Sequence, residues 1–187
     1  DQAIKWSPAT KAATVDTYLT LSRQAVQGTD TELVVWPETA LPFYPQRDAL
    51  MRRVSELAQT SNTWLLTGAP LYSLPPQADA SEQVRYYNGA ILVGPDGRIG
   101  DQYAKQHLVP FGEYVPLRRF LPFLDPLVVS IGDFTPGREK GPLVLGPMRL
   151  GMLICYESIF PAIAHESVVR GANLLGNITN DAWYGRS

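Results

Sequence analysis

The sequence is poor in the residues that cross-link a fold or bind metals. It contains one cysteine, Cys155, and two histidines among 187 residues. One cysteine cannot form an internal disulfide, and no histidine and cysteine residues recur at zinc-binding spacing. A calcium-binding loop is also missing. We therefore expect a fold that does not depend on disulfides, and an activity that needs neither a metal nor another cofactor.

Charge of one sign and long hydrophobic runs are missing as well. The 16 Lys and Arg residues nearly balance the 18 Asp and Glu residues, so the formal net charge is −2. This balance gives no basic surface for nucleic acid. No apolar run approaches the roughly 18 residues that cross a bilayer, and the first residues lack the pattern of a signal peptide. We expect that the chain alone neither spans a membrane nor directs its own export. A larger protein that contains this chain could have both properties.

What the sequence does contain is an alternation of helical and extended patterns. Apolar residues at helical spacing predict helices at residues 12–27, 46–60 and 161–170. Short apolar runs predict strands at residues 33–36, 63–67, 87–93, 98–103, 143–145, 149–154 and 173–178. Gly68 is expected to close the second strand, residues 71–85 to form a loop, and Asp96-Gly97 to turn a hairpin. This order predicts an α/β fold with a mixed sheet.

Three of the predicted strands are followed by residues that together would suit acyl transfer. Glu38 follows the first strand, Lys105 the first hairpin and Cys155 the second hairpin. Acyl transfer needs a nucleophile, a base and positive charge where an oxyanion develops. Taken singly, each residue also has a plain structural interpretation, because Glu and Lys are usually exposed and a lone Cys is usually a core residue.

Three longer segments carry a resemblance to the nitrilase superfamily, and they occur in the order typical of it. Residues 35–40, Val-Trp-Pro-Glu-Thr-Ala, resemble its base segment, and residues 103–116, Tyr-Ala-Lys-Gln-His-Leu-Val-Pro-Phe-Gly-Glu-Tyr-Val-Pro, its lysine segment. Residues 153–157, Leu-Ile-Cys-Tyr-Glu, resemble its nucleophile segment. Residues 177–185 read Asn-Ile-Thr-Asn-Asp-Ala-Trp-Tyr-Gly. Together with the three segments they make the sequence similar to the apolipoprotein N-acyltransferase branch of the superfamily along nearly the whole chain.

The resemblance implies a fold and a set of site residues. The fold is a nitrilase-like αββα sandwich with mixed sheets. Residues 1–187 would form its catalytic domain, with part of the second sheet missing at the C-terminus because the family usually needs a longer chain. The implied catalytic triad is Glu38, Lys105 and Cys155. The implied supporting or substrate-binding residues are Glu113, Tyr156, Glu157, Trp6 and Asn88.

The resemblance also implies substrates and a location. The acyl donor would be a membrane phospholipid, and the acceptor the α-amino group of the diacylglyceryl-modified cysteine of an apolipoprotein. The acyl group would pass through a thioester on Cys155, at the periplasmic face of the bacterial inner membrane. Residues 106–142, rich in Pro, Gly and aromatic residues, are interpreted as a lid facing the membrane surface. The alternative for this segment is a loop that folds back onto its own core.

Three other functions remain open on the sequence alone. A nitrilase-type amidase or carbamoyl hydrolase would use the same triad with water as the acceptor. A thiol protease would pair Cys155 with His107 or His165, but the papain-like signature is missing. A binding module with an inert cysteine would have no use for all three residue types of the triad.

Overall fold

The computed structural model describes residues 8–74, 84–110, 112–114, 134–138 and 141–180. Trp6, the closing residues 181–185 and residues 115–133 of the predicted lid lie outside these ranges. In chain order the helices and strands are α1 (Pro8–Val26), β1 (Leu33–Val35), α2 (Met51–Ser61), β2 (Trp64–Ser73), β3 (Arg85–Val93), β4 (Ile99–Ala104), β5 (Leu143–Leu145), β6 (Met148–Ile154), α3 (Pro161–Val169) and β7 (Leu174–Ile178). None of these helices combines the length and the apolar character needed to cross a bilayer.

The described strands form two mixed sheets. Sheet 1 has the order β1-β2-β3-β4, in which β1 and β2 are parallel and the other neighbours antiparallel. Sheet 2 has the order β5-β6-β7, with β5 antiparallel and β7 parallel to β6. The predicted hairpin between β3 and β4 closes with a 2.8 Å hydrogen bond from Gly97 N–H to the Gly94 carbonyl. The prediction of an α/β fold with mixed sheets is confirmed.

Two hydrophobic cores, one on each face of sheet 1, define the order of the layers. Leu66 and Leu92 of sheet 1 pack with Leu150 and Ile154 of sheet 2, so the two sheets lie face to face. On the outer face of sheet 1 a second core packs against α1 and α2, and it includes Val15, Leu19, Val54, Leu57, Leu65 and Ile91. On the outer face of sheet 2, α3 approaches closely, because a Cβ at Gly151 would lie 2.7 Å from the Ser167 Cβ. The result is the αββα order that the resemblance implied.

Three predicted boundaries are wrong, and one of them is the start of helix α1, which lies at Pro8 rather than at residue 12. Strand β2 does not stop at Gly68 but continues to Ser73, because it pairs with β3 as far as Arg85 and because Ala69 and Leu71 remain buried. Helix α2 begins at Met51 rather than residue 46. There the chain first makes turns, one of them held by the Asp48 carboxylate, which accepts a hydrogen bond from Leu50 N–H at 3.0 Å.

Candidate active site

The turn that carries Glu38 lies directly on the middle of β2. Gly68 N–H donates to the Pro37 carbonyl at 3.2 Å, and Leu41 N–H donates to the Gly68 carbonyl at 3.1 Å. A Cβ at position 68 would come within 2.6 Å of the Glu38 Cα. A glycine inside a strand is therefore required by the close approach of another backbone, not by a turn of its own. This contact fixes where the Glu38 side chain starts.

Lys105 follows β4 and reaches two carboxylates in the interior. Its backbone N–H donates to the Asn88 carbonyl at 2.8 Å, and its carbonyl accepts from Gly137 N–H at 2.7 Å. The ammonium Nζ lies 2.9 Å from Glu113 Oε2 and 3.1 Å from Glu113 Oε1. It lies 3.8 Å from Glu38 Oε1. Lys105 therefore forms its closer ion pair with Glu113 and a longer one with Glu38.

Asn88 joins the two carboxylates. Its Nδ2 group donates to Glu38 Oε1 at 2.7 Å and to Glu113 Oε1 at 2.5 Å. The opposite amide orientation would place Oδ1 against two carboxylate oxygens, so this orientation is the one that the network favours. The Oδ1 atom is buried and has no hydrogen-bond partner among the described residues. Asn88 thus holds Glu38 and Glu113 at a fixed separation.

Burial makes Glu38 a better proton acceptor than an ordinary glutamate. Desolvation raises the pKa of Glu38 above its usual value near 4.5, and the negative charge of Glu113 adds to this rise. The Asn88 hydrogen bond, the Lys105 ammonium and the Asn180 N–H, which donates to Glu38 Oε2 at 3.1 Å, act in the opposite direction. A carboxylate whose pKa moves towards neutrality is better matched to general base catalysis.

Cys155 stands at the end of β6, where the chain enters a short 3₁₀ helix, Cys155–Ile159. The residue is half-buried and has a φ of 52°, in the left-handed region that non-glycine residues rarely adopt. Backbone strain of this kind is common at functional sites, where it fixes the direction of one side chain. The following residue, Tyr156, is 40% exposed.

Glu157 connects the Cys155 turn to the segment that carries Lys105. Its carboxylate is fully buried and accepts hydrogen bonds from four donors. These are Ile154 N–H at 2.8 Å, Tyr103 O–H at 2.9 Å, Gln106 N–H at 2.6 Å and His107 N–H at 3.1 Å. The first donor belongs to β6 and the others to the end of β4 and the residues after it. Glu157 therefore holds sheet 2 against sheet 1 beside both Cys155 and Lys105.

Strand β7 makes the matching connection to Glu38. Ile178 pairs with Ile154, the residue before Cys155. The next carbonyl, that of Thr179, accepts a hydrogen bond from Glu38 N–H at 3.3 Å. The segments that carry Glu38, Lys105 and Cys155 are thus joined by hydrogen bonds at one edge of the sandwich, and Glu38, Lys105, Glu113 and Asn88 are in direct contact there.

The two histidines occupy other surroundings. The His107 ring packs on the Phe160 ring with centroids 4.5 Å apart, and Phe160 also contacts the Tyr156 ring at 5.2 Å. His165 is exposed on α3. Within the described ranges, no three His, Cys, Asp or Glu side chains gather in a way that would hold a metal ion. The expectation of no cofactor stays a prediction.

Sequence reasoning missed two residues that build the site. Gly68 carried a usable signal, because a glycine within an otherwise apolar strand indicates close backbone approach. Tyr103 carried none, since its bond to Glu157 joins residues 54 positions apart in the chain.

Comparison with solved structures defines the class of fold. Nit3 from Saccharomyces cerevisiae, a member of branch 10 of the nitrilase superfamily, superposes with a TM-score of 0.64. The superposition covers 90% of this chain and 59% of Nit3 at 23% sequence identity. The described part of the chain therefore has the same fold as this structure.

Sequence comparison places the chain within that class. The family model described as carbon-nitrogen hydrolase matches residues 2–187, and the chain belongs to this family. An apolipoprotein N-acyltransferase from Geobacter metallireducens is 44% identical over the whole chain, which covers 35% of that relative. Another, from Chlorobaculum tepidum, is 38% identical over 98% of the chain and 38% of the relative. The chain thus spans little more than a third of the length of these relatives.

Proposed function

We propose that this chain is the catalytic part of an apolipoprotein N-acyltransferase. Cys155 is the nucleophile, Glu38 the general base and Lys105 the group that stabilises the oxyanion. The observation that carries the proposal is the buried contact of the Glu38 carboxylate with the Lys105 ammonium, 3.8 Å apart, at the edge where β6 ends in Cys155. The names of the relatives support N-acyl transfer to an apolipoprotein. A phospholipid is the acyl donor that the sequence resemblance implied.

The first half-reaction forms a thioester. Glu38 takes the proton from the Cys155 Sγ, and the thiolate attacks the carbonyl carbon of a phospholipid ester. The Lys105 ammonium, with backbone N–H groups after Cys155, stabilises the tetrahedral oxyanion. The carbon–oxygen bond then breaks, and the departing lysophospholipid alkoxide takes the proton held by Glu38. The acyl group remains on sulfur.

The second half-reaction transfers the acyl group to nitrogen. The α-amino group of the diacylglyceryl-modified cysteine attacks the thioester carbonyl, and Glu38 takes a proton from that nitrogen. The carbon–sulfur bond breaks, an amide is released, and the thiolate regains the proton. Two half-reactions of this kind give ping-pong kinetics.

Four residues support the triad in this proposal. Glu113 binds the Lys105 ammonium, and Asn88 spaces Glu113 from Glu38. Glu157 fixes the Cys155 turn, while the exposed ring of Tyr156 borders the approach to the sulfur. Roles for Trp6 in substrate binding and for residues 106–142 as a lipid-facing lid, and a position at the periplasmic face of the inner membrane, belong to the same proposal.

Intact-mass spectrometry tests the covalent step. The protein is incubated with phospholipid in mixed micelles, and we expect a mass increase of one acyl chain that hydroxylamine removes. Cys155→Ala should show no adduct, and a diacylglyceryl-cysteinyl peptide should discharge the wild-type adduct as an amide. An adduct that persists in Cys155→Ala would refute the assignment. Hydrolysis of small amides without any phospholipid adduct would instead assign the amidase function.

A further inference from the structure

The face of sheet 1 that carries Asn88 continues outward into a cluster of aromatic residues. In the register of β2 with β3, Pro70 lies opposite Asn88 and Tyr72 lies opposite Tyr86. Side chains two residues apart on a strand point to the same face, with Cα atoms about 7 Å apart. Tyr72 and Tyr86 therefore lie two residues further along their strands than Pro70 and Asn88, on the same face of sheet 1 as Asn88.

Two further side chains complete this cluster, which we call the tyrosine–arginine platform: Tyr44, Arg47, Tyr72 and Tyr86. The Tyr44 ring lies 5.5 Å from the Tyr72 ring at 84°, and 5.9 Å from the Tyr86 ring. The Arg47 guanidinium carbon lies 4.7 Å from the Tyr72 ring centroid, and Arg47 Nε donates to the Tyr72 hydroxyl at 2.8 Å. The hydrogen bond from Nε holds the guanidinium in place. The two Nη groups are therefore the hydrogen-bond donors with which Arg47 could bind a ligand.

The charge of the platform favours an anion. The neighbouring carboxylate, Asp48, forms an ion pair with Lys11 at 3.7 Å and accepts a hydrogen bond from Leu50 N–H at 3.0 Å. In the described part of the chain no carboxylate forms an ion pair with Arg47. A cationic ligand would have to displace Arg47 from the Tyr72 ring and would be repelled by it. An anion would meet a guanidinium fork and phenol hydroxyls.

The phenols are suited to donate hydrogen bonds. Burial, and secondarily the nearby Tyr86, raise the pKa of Tyr44, so this phenol keeps its proton throughout the neutral range. The Tyr72 oxygen accepts from Arg47, which leaves its own hydrogen for another acceptor. Guanidinium forks and hydroxyl groups are the donors that proteins commonly use to bind phosphate oxygens.

We propose that the tyrosine–arginine platform binds the phosphate group of the acyl donor while its ester lies at Cys155. The inference rests on the proposed function, because it assigns the headgroup end of the same donor. The platform and the buried network share one strand face, so a single ligand that carries both an ester and a phosphodiester would span the two.

Binding of a short phospholipid tests this inference without requiring turnover. The Cys155→Ala protein is titrated with dihexanoyl phosphatidylcholine below its micelle concentration, by calorimetry. Adding Arg47→Gln should weaken binding about tenfold or more, the usual scale for a hydrogen bond to a charged group. Arg52→Gln, which removes an exposed arginine from α2, should leave binding unchanged. Arg47→Lys should fall between them, because Lys keeps the charge without the planar fork.

Acylation by two donors separates the headgroup from the chemistry. In the Cys155 protein, Arg47→Gln should slow acylation by phospholipid about tenfold and leave acylation by p-nitrophenyl butyrate, which has no phosphate, unchanged. Equal losses with both donors, or no change with either, would overturn the platform assignment. Inorganic phosphate that competes as well as the phospholipid would also overturn it, in favour of a free phosphate site. Failure of wild-type acylation by phospholipid would reject the proposed function itself, whereas the titration reports on the platform independently.

Discussion

The two sheets contribute halves of the site that differ in exposure. On sheet 1, Lys105 is 1% exposed, Asn88 4%, Glu38 6% and Glu113 8%. After β6 of sheet 2, Cys155 is half-buried, and Tyr156 and Ile159 are 40% and 59% exposed on either side of the buried Glu157. The charged groups beside sheet 1 are thus enclosed, while the 3₁₀ helix that begins at Cys155 also carries exposed side chains.

In the proposed mechanism the two halves depend on different physical features. Buried charges are tolerated only when they are paired and hydrogen-bonded, so the sheet 1 half depends on every member of its network. The Cys155 half depends on a strained backbone turn that Glu157 holds in place. Removing the cation of the first half should therefore lower stability, because it strands two buried carboxylates, whereas removing its base should mainly slow the chemistry. Weakening the connection between the halves should shift the Cys155 turn.

The largest effect is expected for Glu38→Gln. Loss of the general base should slow acylation of Cys155 about a thousandfold. The pKa of Glu38 is raised in the folded protein. The stabilisation linked to this shift is therefore present below the pKa of Glu38 in the unfolded chain and is lost as the pH rises through its pKa in the folded protein. The free energy of unfolding should therefore not fall at neutral pH in this variant. Acylation kinetics and urea unfolding measure the two effects. Glu56→Gln, at an exposed position of α2, is the matched control, and a parallel loss of rate there would contradict the account.

Lys105→Met should be the most destabilising change in the network. It leaves Glu38 and Glu113 buried without their cation, a situation that costs about 3–5 kcal/mol. Urea unfolding measures the loss. The double variant Lys105→Met, Glu113→Gln should recover part of it, because it removes one of the stranded charges. A loss below about 1 kcal/mol, the range of exposed pairs, would show that the network is not enclosed.

Gly68→Ala tests whether the Glu38 turn needs the glycine. The new methyl group would meet the Glu38 Cα at 2.6 Å, and overpacking of this kind costs about 1–3 kcal/mol. We expect lower stability together with slower acylation, because the turn must shift. Gly100→Ala on β4 is the control, since its nearest neighbour would be the Leu92 carbonyl oxygen at 3.7 Å. Equal behaviour of the two variants would argue against a tight turn.

Glu157→Gln weakens the connection between the sheets. The amide replaces one of two accepting oxygens by a donor that faces N–H and O–H groups, and an unsatisfied buried group costs about 1–3 kcal/mol. Tyr103→Phe removes the hydroxyl that donates to Glu157 and accepts from Gln106 Nε2 at 3.3 Å, and it should cost about 1–2 kcal/mol. Thermal unfolding of both variants measures these losses. Glu166→Gln, which breaks an exposed pair with Arg170, should change stability least; a ranking with Glu166 first would be inconsistent with this role.

The smallest effect concerns pH. The acidic limb of Cys155 acylation should lie above pH 4.5, because the pKa of Glu38 is raised. Glu113→Gln should move that limb to lower pH, since the Glu113 charge contributes to the rise. A pH series of acylation rates measures the shift. Movement of the limb to higher pH would contradict the assignment of Glu38 as the base.

Most of the fold was predictable because its strands and helices carry clear patterns. The short strand before Trp36, the Asp96-Gly97 hairpin and the strand before Cys155 all lie where the sequence placed them. The extension of β2 past Gly68 was missed because the glycine was interpreted as the end of the strand, although a glycine within an apolar run also indicates close approach of another backbone. The proximity of Glu38 to Lys105 became an expectation only through resemblance, since nothing local links residues so far apart.

The contacts within the site were harder to predict from the sequence than the fold. Asn88 was expected near the site, but its double hydrogen bond to Glu38 and Glu113 depends on the register of β3 against two other segments. The role of Glu157 as a connector likewise depends on tertiary packing. Patterns in the chain identify residue types suited to chemistry, whereas distances between them follow from the fold.

Alkylation of Cys155 by iodoacetamide at neutral pH tests most directly whether sheet 1 activates the nucleophile on sheet 2. Cys155 is the single cysteine of the chain, so the labelling rate reports on one sulfur. We expect fast labelling in the wild type, a rate many times lower in Glu38→Gln, and an unchanged rate in Gly100→Ala. A wild-type rate no higher than that of a free thiol, and unaffected by Glu38→Gln, would contradict it.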